Sequence, residues 1–157
     1  MININLTCQS NHWPAILKKV DLLINKIITF HKDLSFSKNI IYNCNIILTD
    51  NKLITKMNSQ FRKKKISTDV LTFVSEINFK KKEKHKICDI FLSAEMINKD
   101  AKKNKITFYD HLAHLIVHSF LHINGFMHCK IKDFKKMKDM EIKILKKIGI
   151  ENPYLLH

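Results

Sequence analysis

Apolar and polar residues first alternate at the amino terminus, where Ile2, Ile4 and Leu6 interleave with Asn3 and Asn5, the period of a strand with one buried face. From residue 13 to about residue 31 the rhythm changes. Ile16, Leu17, Val20, Leu23, Ile24, Ile27 and Ile28 recur at helical spacing, and Pro14 suits the first turn of the helix they predict. Residues 44–48 read as a second strand, and Asp50 is placed to cap a helix carrying Leu53, Ile54, Met57 and Phe61. Residues 70–74 and 87–92 read as two more strands, joined across a polar turn at 80–86. Ser93 is placed to cap a helix through Ala101. Thr107 is placed to cap a longer one that runs to Asn124 and stops at Gly125, with Asp110 in its first turn. A last amphipathic helix carries Phe134, Met137, Ile142, Ile144, Leu145 and Ile148, ends at Gly149 and has Pro153 beyond it. Trp13 and the phenylalanines fall on these apolar faces, which assigns them to the core. The pattern predicts an α+β protein: a small mixed four-stranded sheet packed by about five helices, in one domain spanning residues 1–157.

Composition narrows the function. Hydrophobic residues at 45% suffice for a core and exclude intrinsic disorder as the state of the chain. Gly125 and Gly149 are the only glycines, so neither GxGxxG nor GxxxxGK[ST] exists and a nucleotide cofactor is not expected. Cys8, Cys44, Cys88 and Cys129 form no CxxC pair, which points to free thiols. No secretory leader pattern is visible, and no run approaches the roughly 20 apolar residues needed to span a bilayer. A cytoplasmic protein without a membrane partner is the expectation. The formal charge of +14, from 28 Lys+Arg against 14 Asp+Glu, suggests a polyanionic partner. That charge is almost wholly lysine: Arg62 is the single arginine, and Asn and Ile are abundant, as AT-rich codons would give. Part of the excess is therefore drift on solvated faces, and Lys80, Lys81, Lys82, Lys84 and Lys86 read as a solvated hairpin tip.

Chemistry concentrates at residues 111–128, HLAHLIVHSFLHINGFMH, which hold five of the nine histidines. His111, His114, His118 and His122 share one helical face. One ion cannot take all four, because His114 to His122 spans about 12 Å at 1.5 Å per residue. The pair His118 and His122 does converge, and a turn at Gly125 returns His128 to them, making a three-nitrogen site for one zinc ion. The spacing HxxxHxxGxxH is that of the metzincin zinc proteases. Those enzymes place a general-base Glu after the first His; here the position is Ser119. Three neutral imidazoles leave the full ionic charge of +2 uncancelled, which favours an anionic phosphodiester over a neutral amide. His111 and His114 read mainly as structural, with His114 a candidate for a contact behind the metal site or with the substrate. Asp69 reads as a turn residue leading into a strand.

HSFLHINGFMH resembles the HGxLHLxGYDH signature of the YbeY family of bacterial rRNA maturation factors. MNSQFRKKKISTDVLTFV is similar to that family's LNxxFRxxxxPTDVLSFP, ICDIFLS to its LGDIxIS, and ILKKIGIENPY to its ILxxLGxxNPY, in the same order along the chain. The resemblance implies a metal-dependent endoribonuclease specific for single strands, acting in small-subunit rRNA 3′-end processing and ribosome quality control. RNA and small-subunit ribosomal proteins are its implied partners. It also implies that His118, His122 and His128 ligate zinc and that Arg62 is functional, as the catalytic set. The chain departs from the signature at Ser119 (Gly in the family), Phe126 (Tyr) and Met127 (Asp). Ser67 and Val74 replace two prolines, and Cys88 replaces the Gly before Asp89. Ser119 would add a hydroxyl near the metal, and Met127 would remove an acceptor for a ligand histidine. A lone arginine in a lysine-rich chain suggests a place that needs a planar, bidentate phosphate clamp. Two rivals stay open: a non-catalytic ribosome-assembly factor with a structural zinc, and a metallohydrolase acting on peptides or small molecules.

Overall fold

The computed structural model describes residues 1–79 and 83–155. Four strands, β1 (Ile2–Cys8), β2 (Ile40–Thr49), β3 (Val70–Phe79) and β4 (Glu83–Ser93), form one sheet in the order β1-β2-β4-β3. β1 and β4 both run parallel to β2, and β3 returns antiparallel along β4, so the sheet is mixed. Around it lie α1 (Leu17–Ile28), α2 (Asn51–Arg62), α3 (Ala94–Lys103), α4 (Phe108–Ile123) and α5 (Ile131–Lys147). The expected α+β class, with its four-stranded mixed sheet and five helices, is the observed one.

Local signals set most of the helix boundaries. Asp50 accepts the Leu53 N–H at 3.0 Å, Thr107 that of Asp110 at 3.0 Å and Ser93 that of Met96 at 3.5 Å. Each such cap contributes about 1 kcal/mol. Helix α1 begins later than its apolar rhythm suggests. The Trp13 indole N–H donates to the Thr49 carbonyl at 2.8 Å, anchoring that segment beneath β2, and Pro14–Ile16 takes a 3-10 turn before the helix opens. Strand β2 begins four residues earlier than expected, because Tyr42 continues the buried alternation of Cys44 and Ile46.

Two expectations are corrected. The polar turn at 80–86 is shorter than its composition suggests: Glu83 to Lys86 belong to β4 and pair with β3, while 80–82 lie outside the described residues. The outer half of β3 is exposed, so polar residues there are compatible with pairing. The phenylalanines are not all core. Phe61, Phe79 and Phe134 are 62%, 52% and 45% exposed, whereas Trp13 and Phe120 are fully buried.

Helix α4 runs through the centre of the molecule, touching α1, α3, α5 and β3. Leu112, Ala113, Ile116, Val117, Phe120 and Leu121 are all essentially buried. One stripe of this helix, His114, His118 and His122, stays partly open. The core thus holds rigid the helix that presents the histidines.

Candidate metal centre

Residues three and four apart on a helix stack above one another, and the α4 histidines do so. The His114 and His118 ring centroids are 6.3 Å apart, and those of His118 and His122 4.5 Å. The Nε2 atoms of His118 and His122 face each other at 3.0 Å, near the roughly 3.3 Å separation of two nitrogens on a tetrahedral zinc.

His128 reaches this pair through the end of α4. The Gly125 N–H donates to the His122 carbonyl at 3.1 Å and the Phe126 N–H to the Leu121 carbonyl at 3.0 Å. This paired closure needs a left-handed residue, and Gly125 supplies it with φ of +92°. The Asn124 side-chain amide donates to the Leu34 carbonyl at 2.8 Å, fastening the turn to the segment after α1. The chain then doubles back, and the His128 ring lies 5.6 Å from that of His118 and 4.8 Å from that of His122. One ring nitrogen from each of the three histidines lies within 4.8 Å of the others. This donor set fits a single divalent ion with a position left open, and the exposure of His128 puts that position toward solvent.

Behind the rings stands Glu141, which is 1% exposed. Its carboxylate accepts from His118 Nδ1 at 3.0 Å, from His114 Nε2 at 2.9 Å and from the Tyr154 hydroxyl. Burial alone would push this carboxyl up, but the hydrogen bonds from His114 and His118 outweigh it and hold it at about 2. Glu141 is therefore ionised and fixes the His118 proton on Nδ1, so the lone pair on Nε2 faces the other two rings. Burial and the neighbouring His118 and His128 push His122 down to about 4, which keeps it neutral and able to ligate at neutral pH. Burial and the adjacent Glu141 carboxylate raise the Tyr154 hydroxyl well above its usual range, so it remains a donor. No motif of the chain singles out Glu141, and Tyr154 enters only as the last residue of ILKKIGIENPY, with no role attached to it. Glu141 sits four residues after Met137 and four before Leu145, a charge on the apolar face of α5, and that misplacement is its only signal.

The sequence profile described as Endoribonuclease YbeY matches residues 5–149. The chain belongs to the YbeY family. It is 36% identical over 149 residues to the endoribonuclease YbeY of Pelagibacter ubique (strain HTCC1062), covering 93% of this chain and 97% of that one. To its namesake from Polynucleobacter asymbioticus it is 44% identical over 100 residues, 64% of this chain and 62% of that one. The solution structure of TM1509 from Thermotoga maritima shares the fold, with a TM-score of 0.54 at 21% identity over 94% of this chain and 91% of that one.

Against the YbeY signature, one departure behaves differently from expectation. Ser119 does not crowd the metal position. It is fully buried, and its hydroxyl lies 3.0 Å from that of Thr72, because the next residue on a helix is turned about 100° away. Met127 is 54% exposed, and His118 has its acceptor in Glu141 instead. Arg62, the last residue of α2, is exposed. Its guanidinium donates to the Thr72 carbonyl at 3.4 Å and lies 5.8 Å from the centre of the Phe73 ring. Thr72 thus connects Arg62 to Ser119, the neighbour of His118. Lys63, Lys64 and Lys65 are exposed beside it. Lys86 is no hairpin-tip residue: its ammonium donates to the Ile123 carbonyl at 3.0 Å, closing the carboxyl end of α4. Lys84 lies exposed within β4, and Lys80, Lys81 and Lys82 lie outside the described residues. His111 sits apart from the three-histidine group, 3.3 Å from Asp69, which directly precedes β3.

Proposed function

We propose that this chain is a zinc-dependent endoribonuclease that cuts single-stranded RNA, acts on the 3′ end of the small-subunit rRNA precursor in ribosome quality control, and works in the cytoplasm beside small-subunit ribosomal proteins. The observation that carries this reading is the convergence of His118, His122 and His128, with His118 locked by Glu141, in a YbeY-family chain of net charge +14.

When bound, a zinc ion on these three nitrogens supplies Lewis-acid charge to a phosphodiester. The protein's own groups do the positioning. Glu141 keeps the His118 proton away from the substrate side, and His122 stays neutral through its burial. Arg62, steadied by the Thr72 carbonyl and the face of Phe73, offers its remaining N–H groups to a phosphate. Lys63, Lys64 and Lys65 extend that positive surface along a strand of RNA. A peptidase reading finds no base: Ser119 occupies the place of the protease Glu and is turned into the core.

Metal analysis and RNA cleavage on the wild type and His122→Ala test the proposal. About one zinc per chain and cleavage in the wild type, with both lost in a folded His122→Ala, is the expected result. Equal cleavage by a folded, zinc-free variant would sink it. Zinc in the wild type without any cleavage of single-stranded RNA would leave an assembly factor in its place.

A further inference from the structure

We propose that Asp69, Asp100 and His111 form a second divalent-cation site, suited to Mn2+, which clasps β3, α3 and α4 together. The three residues come from separate elements. Asp69 directly precedes β3 and accepts the Ser93 N–H on its carbonyl at 3.0 Å, Asp100 lies in α3, and His111 lies in the first turn of α4. One ligand atom of each falls within 4.8 Å of the other two. The donors therefore meet through the tertiary fold.

The strongest pointer is His111. It is 8% exposed, and its Nε2 is buried without a hydrogen-bond partner. That atom lies 3.3 Å from Asp69 Oδ2 but does not meet it in hydrogen-bonding geometry. A ring nitrogen buried without a hydrogen bond has lost its water and keeps only the electrostatic pull of the nearby Asp69 carboxylate, and a cation that takes it as a ligand removes that penalty. A second pointer is the placing of two carboxylates side by side within reach of that nitrogen. Their mutual repulsion is relieved by an ion of charge +2, which the pair neutralises. Two oxygens and one nitrogen suit Mn2+, whereas the all-nitrogen group further along α4 suits zinc. Asp100 is only half-buried, which leaves room for water at the remaining positions.

The second ion would not join the chemistry of the first. His111 and His118 are seven residues apart, about 10 Å along the helix, and paired catalytic ions sit about 4 Å apart. Its effect is mechanical. Three residues beyond Asp69 is Thr72, whose carbonyl receives Arg62 and whose hydroxyl meets Ser119. A clasp at Asp69 thus sets the strand that carries the Arg62 contact against the helix that carries the histidines.

The test uses Mn2+ alone, added to chelator-treated His122→Ala, whose three-histidine group is disabled. Loss of the free Mn2+ electron paramagnetic resonance signal counts the bound ions, and the melting temperature reports the clasp. His122→Ala is expected to take up one Mn2+ and to melt higher with it. Adding Asp100→Asn, or separately His111→Gln, is expected to weaken Mn2+ binding at least about tenfold and to cancel the rise in melting temperature. Circular dichroism in the absence of metal shows whether each variant is folded. No Mn2+ uptake by His122→Ala would overturn the proposal. Uptake undiminished in both folded double variants would overturn it equally, since the ion would then sit elsewhere.

Discussion

At the carboxyl end of α4 three imidazoles converge with no carboxylate among them, and Glu141 stands one step behind. At the amino end two carboxylates face one imidazole directly. The groups at the two ends of this helix thus differ mainly in where the negative charge sits. A carboxylate held behind a ligand orients it without cancelling the charge of a bound ion. A carboxylate inside the group cancels that charge and turns the ion toward holding structure together. The open, uncancelled end suits a phosphodiester, and the neutralised end suits a clasp.

The largest effect should come from making the first end resemble the second. His122→Ala is expected to lose the ion and to lower RNA cleavage more than about 100-fold. His128→Asp is the sharper change, because it keeps three ligands while placing a carboxylate among them. Metal analysis should still find one ion per chain, and cleavage should fall at least about tenfold as the charge on the ion is cancelled. Undiminished cleavage by metal-loaded His128→Asp would show that uncancelled charge is not what distinguishes this end.

Moving one step outward, Glu141→Gln keeps the volume of the buried side chain and removes the charge that fixes the His118 proton. Zinc affinity measured by competition with a chelating dye is expected to fall about 10–100-fold. Arg62→Lys keeps the charge and loses the planar fork, so cleavage should drop about tenfold with zinc affinity unchanged. Full cleavage by Arg62→Lys would remove the clamp from the mechanism.

How much of this is visible in advance depends on distance along the chain. The caps at Asp50, Ser93 and Thr107 and the turn at Gly125 are legible because each acts within a few residues of itself. The three histidines are legible for the same reason: a four-residue spacing, a turn and a return. Glu141 lies 23 residues from His118 and 27 from His114, and only the packing of α5 on α4 brings it there. Asp69 and Asp100 meet His111 through three separate elements, and no spacing announces that. Ser119 and Lys86 defeat the pattern by a different route. Proximity in sequence is not proximity in space for Ser119, whose side chain turns away from His118. Polar composition is not a turn for Lys86, which lies in a paired strand.

Acid should separate the two ends of the metal-free protein. At the carboxyl end both shifts act in one direction. His122, at about 4 when folded, takes its proton more readily in the unfolded chain, so stability is lost as pH falls from about 6.5 toward 4. Glu141, at about 2, contributes stability that is present above about 4.5 and lost as pH falls toward 2. At the amino end the shifts oppose each other. Burial would raise Asp69, but His111 and backbone N–H groups hold it below the usual range, so acid weakens it there. Burial and the neighbouring Asp69 raise Asp100, so its protonation on acidification favours the fold. Urea midpoints at pH 7, 5 and 3 are therefore expected to fall stepwise in the wild type. His122→Ala should flatten the upper step and Glu141→Gln the lower one, while Asp100→Asn, which removes a group that offsets the acid loss, should steepen the lower step. A wild-type midpoint unchanged between pH 7 and 5 would contradict the burial assigned to His122.

The smallest effects concern how the two ends of the helix are mounted. An added Cβ at Gly125 meets nothing within 4 Å, so Gly125→Ala tests backbone conformation alone. Holding an L-residue at φ of +92° is expected to cost about 1–2 kcal/mol, read from the urea midpoint. Because the Gly125 turn is what returns His128, any relaxation of that strain moves the third ligand, and zinc affinity should weaken a few-fold along with stability. Thr107→Ala, which removes the cap at the other end, should cost about 1 kcal/mol and leave zinc affinity where it was. Equal loss of zinc affinity in both variants would mean that general loosening of α4, rather than the turn, governs the three-histidine group.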